Sequence, residues 1–160
     1  MRIILSIGSN VGNRKKNLDT AISFLSENCY INILQCSPIY ETEPYGNIEQ
    51  NCFFNVVLIA ETSFLPMNLL LICKTIEFLL GRRKTFRWSK RIMDIDILMY
   101  DDLILDSATL TIPHKYLHLR NFVLVPLNDI DSNIMHPILN KNITQLLIEC
   151  PDKSFVKKYI

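Results

Sequence analysis

The spacing of apolar residues changes period along the chain, and this change leaves few folds open. Two segments have apolar side chains every three or four residues, as on the buried face of a helix: 18–25 and 69–80. Four others are rich in apolar and β-branched residues, as in strands: 2–9, 31–39, 53–62 and 92–100. Pro66 suits the first turn of the second helix, and Gly81 is placed to end it. The predicted order is therefore strand, helix, strand, strand, helix, strand.

This order is typical of an α+β sandwich in which helices cover a mainly antiparallel sheet, the ferredoxin-like pattern. A doubly wound parallel sheet is the alternative. Residues 41–52 are predicted to form an irregular polar loop, and residues 103–105 and 110–112 a short hairpin. The segment from Phe122 onward mixes short strand and helix signals and is not placed.

Composition narrows the class of protein further. The chain has 160 residues, 49% of them hydrophobic, so we expect one domain over residues 1–160 with its own core. No apolar run reaches the roughly 18 residues of a membrane span, and the first strand is too short for a secretory signal. A cytoplasmic protein with no membrane partner is expected. Five cysteines, an odd number without a C-x-x-C pair, predict reduced and buried thiols.

The charged residues balance overall but are segregated along the chain. A net charge of +1 argues against a nucleic-acid partner. However, six of the ten residues from Arg82 to Arg91 are basic, and Asp94 and Asp96 follow at once. Arginine binds phosphate bidentately, so the basic block suggests a phosphate ligand. A solvated loop is the alternative.

Asp94 and Asp96 are separated by one residue in a predicted strand. Because strand side chains alternate, the two carboxylates are expected on one face about 7 Å apart, with Met93, Ile95, Ile97 and Met99 on the other. Mg²⁺ prefers such oxygen ligands and completes its shell with water and phosphate oxygens. The pair therefore suggests a magnesium nucleotide, and the alternative is a solvated strand face paired to Lys or Arg.

Aromatic and amide side chains near these charges suggest a site for a flat ring. Trp88 stands inside the basic block, where it suits a stacking lid, although a lone tryptophan is more often a core residue. Phe53 and Phe122 offer ring faces but fit the core better. Asn55 shares a strand face with Phe53, so its amide either reads the edge of a heterocycle or is an ordinary buried polar group.

Two other patterns are weaker. His114 and His118 are four residues apart, but without a third nearby His or Cys they do not indicate zinc, and His114 with Arg120 better suits phosphate contact. The glycine-containing turn at residues 8–12 matches neither a dinucleotide-binding fingerprint nor a P-loop.

Several motifs stand in the order and spacing of one enzyme family. They are Gly8-Ser9-Asn10, Ser37-Pro38-Ile39-Tyr40-Glu41-Thr42-Glu43-Pro44-Tyr45-Gly46, Phe53-Phe54-Asn55, the R-W-x-x-R-x-x-D-x-D segment at 87–96, Pro113-His114, and 120–127. Over nearly its full length the chain resembles the 6-hydroxymethyl-7,8-dihydropterin pyrophosphokinases. The resemblance implies a three-layer α/β/α fold and transfer of the β,γ-diphosphate of ATP to the pterin hydroxymethyl oxygen, in folate biosynthesis. It implies no partner beyond these substrates, and we expect a monomer.

The resemblance also implies roles for individual residues. Asp94 and Asp96 would hold two Mg²⁺ ions and, with Arg82 and Arg91, form the catalytic set. The phosphates would be contacted by Arg82, Arg91, His114 and Arg120. The pterin pocket would be formed by Thr42, Pro44, Tyr45, Phe53, Asn55 and Phe122. The nucleotide or the active-site loop would be lined by Glu77, Trp88, Ile97 and Thr111. Residues 83–90 would close over ATP as a lid.

The sequence departs from the family pattern after Trp88, and two alternative functions compete with this interpretation. Ser89-Lys90 stands where the family usually has Gly-Pro, which is expected to alter loop kinetics and not the aspartate pair. A ferredoxin-like nucleic-acid binder would use the basic block, but Asp94 and Asp96 would repel a phosphate backbone. A two-metal nuclease or phosphatase would usually need more carboxylate or histidine ligands.

Overall fold

A computed structural model describes residues 1–44, 50–82 and 91–159. Its strands are β1 (Arg2–Ser9), β2 (Ile31–Cys36), β3 (Tyr40–Thr42), β4 (Phe53–Thr62), β5 (Asp94–Tyr100), β6 (Leu105–Asp106), β7 (Thr111–Ile112), β8 (Met135–His136), β9 (Lys141–Asn142) and β10 (Val156–Lys158). Its α-helices are α1 (Arg14–Ser26), α2 (Pro66–Leu79), α3 (Asn121–Ile130) and α4 (Ile143–Glu149), and a turn of 3₁₀ helix spans Leu117–Leu119.

Six strands form one sheet in the order β10-β3-β4-β1-β5, and β2 pairs with β4. Each of these pairings is antiparallel. β3 and β2 occupy successive stretches of the same edge of β4, since Thr42 lies opposite Phe53 and Ile31 lies opposite Thr62. The prediction of a mainly antiparallel sheet is confirmed.

The sheet carries helices on both faces, which gives the three-layer α/β/α sandwich. One core lies between the sheet and helices α1 and α2, and the helices contribute Leu18, Ala21, Leu25, Leu69, Cys73 and Ile76 to it. The other core lies between the sheet and helices α3 and α4, which contribute Val123, Leu124, Leu127, Ile143 and Leu146. The ferredoxin-like α+β fold class is thereby confirmed.

The predicted helix signals act as expected. Pro66 opens α2, and Gly81 follows its end with a φ of +92°, a conformation that glycine adopts without a Cβ penalty. The Asn13 side chain caps α1 by accepting a hydrogen bond from the Lys16 backbone N–H.

Two sequence predictions need correction, and a segment that the sequence left unplaced is now assigned. Residues 41 and 42 were expected in an irregular loop but belong to β3, an inner strand that pairs with β4 on one side and with β10 on the other. Met99 was expected on the face of Ile95 and Ile97, but the β1–β5 register shifts between Ile4 and Leu5, so Met99 packs in the α3–α4 core. The unplaced tail forms α3, α4 and the edge strand β10.

The cysteines depart from expectation in burial. All five are free thiols, but only Cys73 and Cys150 are buried, while Cys29 and Cys36 are exposed. Cys36 ends β2, which is largely exposed beyond its first residue. Within the described ranges, none of the helices has the length and apolar character to cross a membrane.

Candidate active site

A pocket opens on the α3 face of the sheet, where the ends of three adjacent strands meet the start of α3. On each strand the alternation of side chains selects the lining residues: Gly8 and Ser6 on β1, Phe53 and Asn55 on β4, Asp94 and Asp96 on β5. The remaining lining residues are Thr42, Glu43, Pro44, Gln50, Arg91, Arg120 and Phe122. One cavity therefore joins an aromatic, amide-bearing half to a charged half.

The aromatic half contains five of the six residues expected to bind the pterin, namely Thr42, Pro44, Phe53, Asn55 and Phe122. The Asn55 side chain is buried and donates from Nδ2 to the Thr42 Oγ1 at 2.7 Å. This hydrogen bond orients the amide, so its oxygen and its second N–H face a defined direction. The sixth residue, Tyr45, lies outside the described residues.

Gly8 makes room for that amide. A Cβ built on Gly8 would lie 2.5 Å from the Asn55 Oδ1 and 3.7 Å from the Phe53 Cδ1. Asn55 is opposite Gly8 in the β1–β4 register. The Asn55 side chain therefore occupies the space that any other residue at position 8 would fill.

The charged half is built around Asp94. Arg82 Nη1 lies 2.5 Å from the Asp94 Oδ1, and Arg91 Nη1 forms an ion pair with the Asp94 Oδ2. Burial disfavours the charged form of Asp94, but the guanidinium groups of Arg91 and Arg82 outweigh it and hold the pKa of this carboxyl below its usual range. The paired arginines thus keep Asp94 ionised, as a metal ligand must be.

Asp96 lies beside a second cationic group. Its Oδ2 is 3.3 Å from Arg120 Nη1 and 3.9 Å from His114 Nε2. Burial lowers the pKa of His114, which favours the neutral ring. The His114 Nδ1 accepts a hydrogen bond from the Tyr116 backbone N–H, so the proton of the neutral ring is on Nε2, the nitrogen nearer Asp96. The buried Nε of Arg120 has no hydrogen-bond partner among the described residues. Arg120 therefore retains an N–H group that can donate a hydrogen bond to an anionic ligand.

Glu77 supports the charged half from behind the sheet. It is 2% exposed, and its Oε1 accepts a hydrogen bond from the Ile95 backbone N–H at 2.7 Å. The same oxygen is 2.6 Å from Arg82 Nη1, which in turn reaches Asp94. Glu77 is thus placed to position Arg82 and does not line the pocket.

The other expected nucleotide residues are dispersed. Ile97 is buried in the core against α1 and α2, on the opposite face of β5 from the aspartates. Thr111 is partly exposed on β7 and donates to Asp106 Oδ1 at 3.2 Å. Trp88 and the proposed lid at residues 83–90 lie outside the described residues.

Several contributors to the pocket were given no role from the sequence, although Gly8, Asn10 and Glu43 stand in the motifs that carry the family resemblance. Ser6, Gly8, Glu43 and Gln50 line it, and the side chain of buried Asn10 joins its two halves. The Asn10 Oδ1 accepts from the Arg91 backbone N–H at 2.7 Å, and its Nδ2 donates to Gln50 Oε1 at 3.0 Å. Polar residues in an apolar strand and its exit, here Ser6 and Asn10, are the signal that would have indicated them.

The donor set suits Mg²⁺ bound together with a nucleotide. Asp94 and Asp96 supply hard oxygen ligands on one strand face. In ranges 1–44, 50–82 and 91–159, no group of three or more His, Cys, Asp or Glu is arranged so that it could hold a metal ion. Two carboxylates leave most of an octahedral shell to water and phosphate oxygens, which is the usual arrangement for this ion. The residues therefore fit the metal that the sequence suggested.

Comparison with known proteins gives a consistent result. A family model described as 7,8-dihydro-6-hydroxymethylpterin-pyrophosphokinase (HPPK) matches residues 4–132. The chain is 39% identical over 153 residues to the 2-amino-4-hydroxy-6-hydroxymethyldihydropteridine pyrophosphokinase of Aquifex aeolicus, covering 96% of this chain and 94% of that protein. It is 40% identical over 149 residues, 93% of this chain, to the folic acid synthesis protein fol1 of Schizosaccharomyces pombe, of which it spans only 20%.

A solved structure of an HPPK-DHPS protein in complex with substrates superposes with a TM-score of 0.73. It covers 92% of this chain and 43% of that one at 17% identity, and so supports the fold alone.

Proposed function

Because the chain belongs to the 7,8-dihydro-6-hydroxymethylpterin-pyrophosphokinase family, we propose that this pocket is where it transfers diphosphate from ATP to a pterin. In the reaction the hydroxymethyl oxygen of 6-hydroxymethyl-7,8-dihydropterin attacks the β-phosphorus of ATP, the bond to the α-phosphate oxygen breaks, and AMP leaves. The products are AMP, the pterin diphosphate and the proton from the hydroxyl. One observation carries the proposal: a single cavity contains both a ring-binding half and an arginine–aspartate half.

The aromatic half suits a pterin. The amide of Asn55, oriented by Thr42, offers an acceptor oxygen beside an N–H donor. It can therefore pair with the edge of the heterocycle, which also has donors and acceptors side by side. Phe53 and Phe122 offer ring faces on either side, and Pro44 closes the edge. Tyr45 is assigned to the same pocket on the resemblance.

The charged half suits a triphosphate. Arg82, Arg91, Arg120 and His114 would contact the phosphate oxygens, and the transfer would depend mainly on positioning and charge neutralisation. Asp94 and Asp96 would hold two Mg²⁺ ions. Bound there, Mg²⁺ neutralises phosphate charge and acidifies a coordinated hydroxyl, so that no separate general base is needed.

The arginines must exchange partners when ATP binds. Arg82 and Arg91 both pair with Asp94. On binding, the ligand phosphate would become the partner of the two arginines, and the cation would become the partner of Asp94. The pairs thereby hold each group near its place of use, which reduces the reorganisation needed on binding.

The adenosine would lie toward the β5–β7 edge. Thr111 is partly exposed there and can contact it, whereas Glu77 and Ile97 are buried and would act by supporting that side of the site. Trp88 is assigned to the nucleotide on the resemblance.

The rival nucleic-acid binder is not favoured, because Arg82 and Arg91 turn inward to Asp94. One domain over residues 1–160, a monomeric state and a cytoplasmic location remain predictions from the sequence.

The direct test is AMP formation from ATP and Mg²⁺ with and without the pterin. Asp96→Asn keeps the shape of the side chain but removes its charge, so we expect it to abolish pterin-dependent AMP. Asp102→Asn is the matched control, since Asp102 is exposed and lines a different cleft. AMP formation at the wild-type rate by Asp96→Asn would contradict the assigned metal site, and no pterin-dependent AMP from the folded wild type would contradict the function.

A further inference from the structure

We infer that Arg14 is a positioning residue for the pterin half of the pocket, acting from the opposite face of the sheet. The inference rests on the proposed function for the substrate concerned. Arg14 is the first residue of α1, and α1 packs on the face that carries Phe54. The pocket opens on the other face, where Phe53 and Asn55 point. Arg14 therefore does not line the pocket, and any effect on it must pass through the strands.

The contacts of Arg14 join β3 to the start of β4. Its Nη1 donates to the Glu41 Oε1 at 2.8 Å and to the Cys52 backbone carbonyl at 2.8 Å. Its guanidinium carbon lies 3.7 Å from the centroid of the Phe54 ring. One side chain thus contacts β3, the residue before β4, and the second residue of β4.

Each contacted residue is adjacent in sequence to a pocket residue. Glu41 precedes Thr42, and Cys52 precedes Phe53. In the β3–β4 register Glu41 is opposite Phe54, and Thr42 is opposite Phe53. Fixing Glu41, Cys52 and Phe54 from behind consequently fixes the separation of Thr42 from Phe53 and Asn55 in front.

This separation matters because β3 is short. Only Tyr40, Glu41 and Thr42 pair with β4 in the described chain, and the ladder ends at Thr42. On its other side β3 pairs over the same three residues with β10, which is itself a three-residue, largely exposed edge strand. Short ladders of this kind open more readily than long ones. The Asn55–Thr42 hydrogen bond spans the same two strands, so its 2.7 Å length depends on their staying together.

The helix itself gains nothing from a basic residue at this position. The first turn of α1 has no acidic residue, and a cation at a helix N-terminus opposes the dipole. The neighbouring Lys15 instead pairs within the helix, with Asp19 at 2.8 Å. Arg14 and Lys15 therefore have the same charge and the same helix turn but different partners, which makes Lys15 a matched control.

The experiment compares Arg14→Ala, Arg14→Lys and Lys15→Ala in the full chain. Steady-state AMP formation would give kcat and the KM for pterin and for ATP. We expect Arg14→Ala to raise the KM for pterin about tenfold with the KM for ATP unchanged, since displacement of recognition groups by a fraction of an ångström has effects of this order. Arg14→Lys should recover part of the loss, and Lys15→Ala should match wild type.

Backbone hydrogen exchange provides a readout that does not depend on activity. Arg14→Ala should speed exchange in peptides covering residues 40–44 and 52–55, and Lys15→Ala should not. Unchanged exchange would overturn the inference, as would faster exchange with an unchanged KM for pterin or an equal rise for both substrates. A wild type that makes no pterin-dependent AMP would instead overturn the proposed function, and the exchange experiment would still test whether Arg14 holds the strands together.

Discussion

Replacement of Gly8 by alanine tests whether the pterin half of the pocket depends on the placement of Asn55. The added Cβ would lie 2.5 Å from the Asn55 Oδ1, closer than real Cβ contacts allow. The φ of Gly8 is not in the left-handed region, which only Gly12 and Gly81 adopt among the described glycines, so the backbone accepts alanine. The perturbation is therefore a steric one that falls on a single side chain.

The magnitude follows from what Asn55 must give up. Its side chain is 4% exposed and is hydrogen-bonded to Thr42, so any movement breaks a buried hydrogen bond. Such a bond contributes about 1 kcal/mol, and a buried polar group left unpaired costs about 1 to 3 kcal/mol. We expect the free energy of unfolding to fall by about 1 to 2 kcal/mol. With the amide misdirected, the KM for pterin should rise about tenfold or more, at about 1.4 kcal/mol per tenfold.

The assay is AMP formation at varied pterin and varied ATP, with urea unfolding of the same samples. The double variant Gly8→Ala/Asn55→Ala should have the same KM for pterin as Asn55→Ala alone, because Gly8 acts only through Asn55. Gly12→Ala is the control: it has φ +67° and no atom within 4 Å of its Cβ, so it should lose stability and retain the KM. A normal KM for pterin in Gly8→Ala, or additive effects in the double variant, would refute the reasoning.

Two further predictions concern stability. Glu77→Leu should lower the free energy of unfolding by about 3 kcal/mol or more, because it removes the buried acceptor of the Ile95 N–H and of Arg82. Glu77→Gln keeps an acceptor oxygen and should lower this free energy by less. Equal urea midpoints for the two variants would contradict the prediction. Burial and the hydrogen bond to Asp129 raise the pKa of Tyr40 to about 12, so its stabilising contribution is complete below pH 10 and is lost as the pH rises from 10 toward 12. Unfolding free energies across this range should therefore decline more steeply for wild type than for Tyr40→Phe, and parallel curves would count against it.

The structure also indicates why the shared face of the two aspartates could be predicted from the sequence. Asp94 and Asp96 alternate with Ile95 and Ile97 in a strand, and a strand has a period of two whatever it packs against. The same logic places Phe53 with Asn55. The prediction for Met99 was wrong because the register shift between β1 and β5 depends on how the two strands pair. The local pattern of one strand does not contain that information.

Local sequence patterns predicted the two helices with apolar stripes, the four long strands, the acidic pair, and the aromatic and amide residues that motif order assigns to a pterin. Each of these is encoded over a few consecutive residues, by periodicity, by turn-forming Pro and Gly, or by a motif. No local pattern indicated that Arg82 contacts both Asp94 and Glu77, that Gly8 leaves room for Asn55, or that Arg14 joins Glu41 to Cys52. These contacts join residues 5 to 47 positions apart. Their distances depend on how the strands align and how the helices pack, which the local pattern of a chain does not specify.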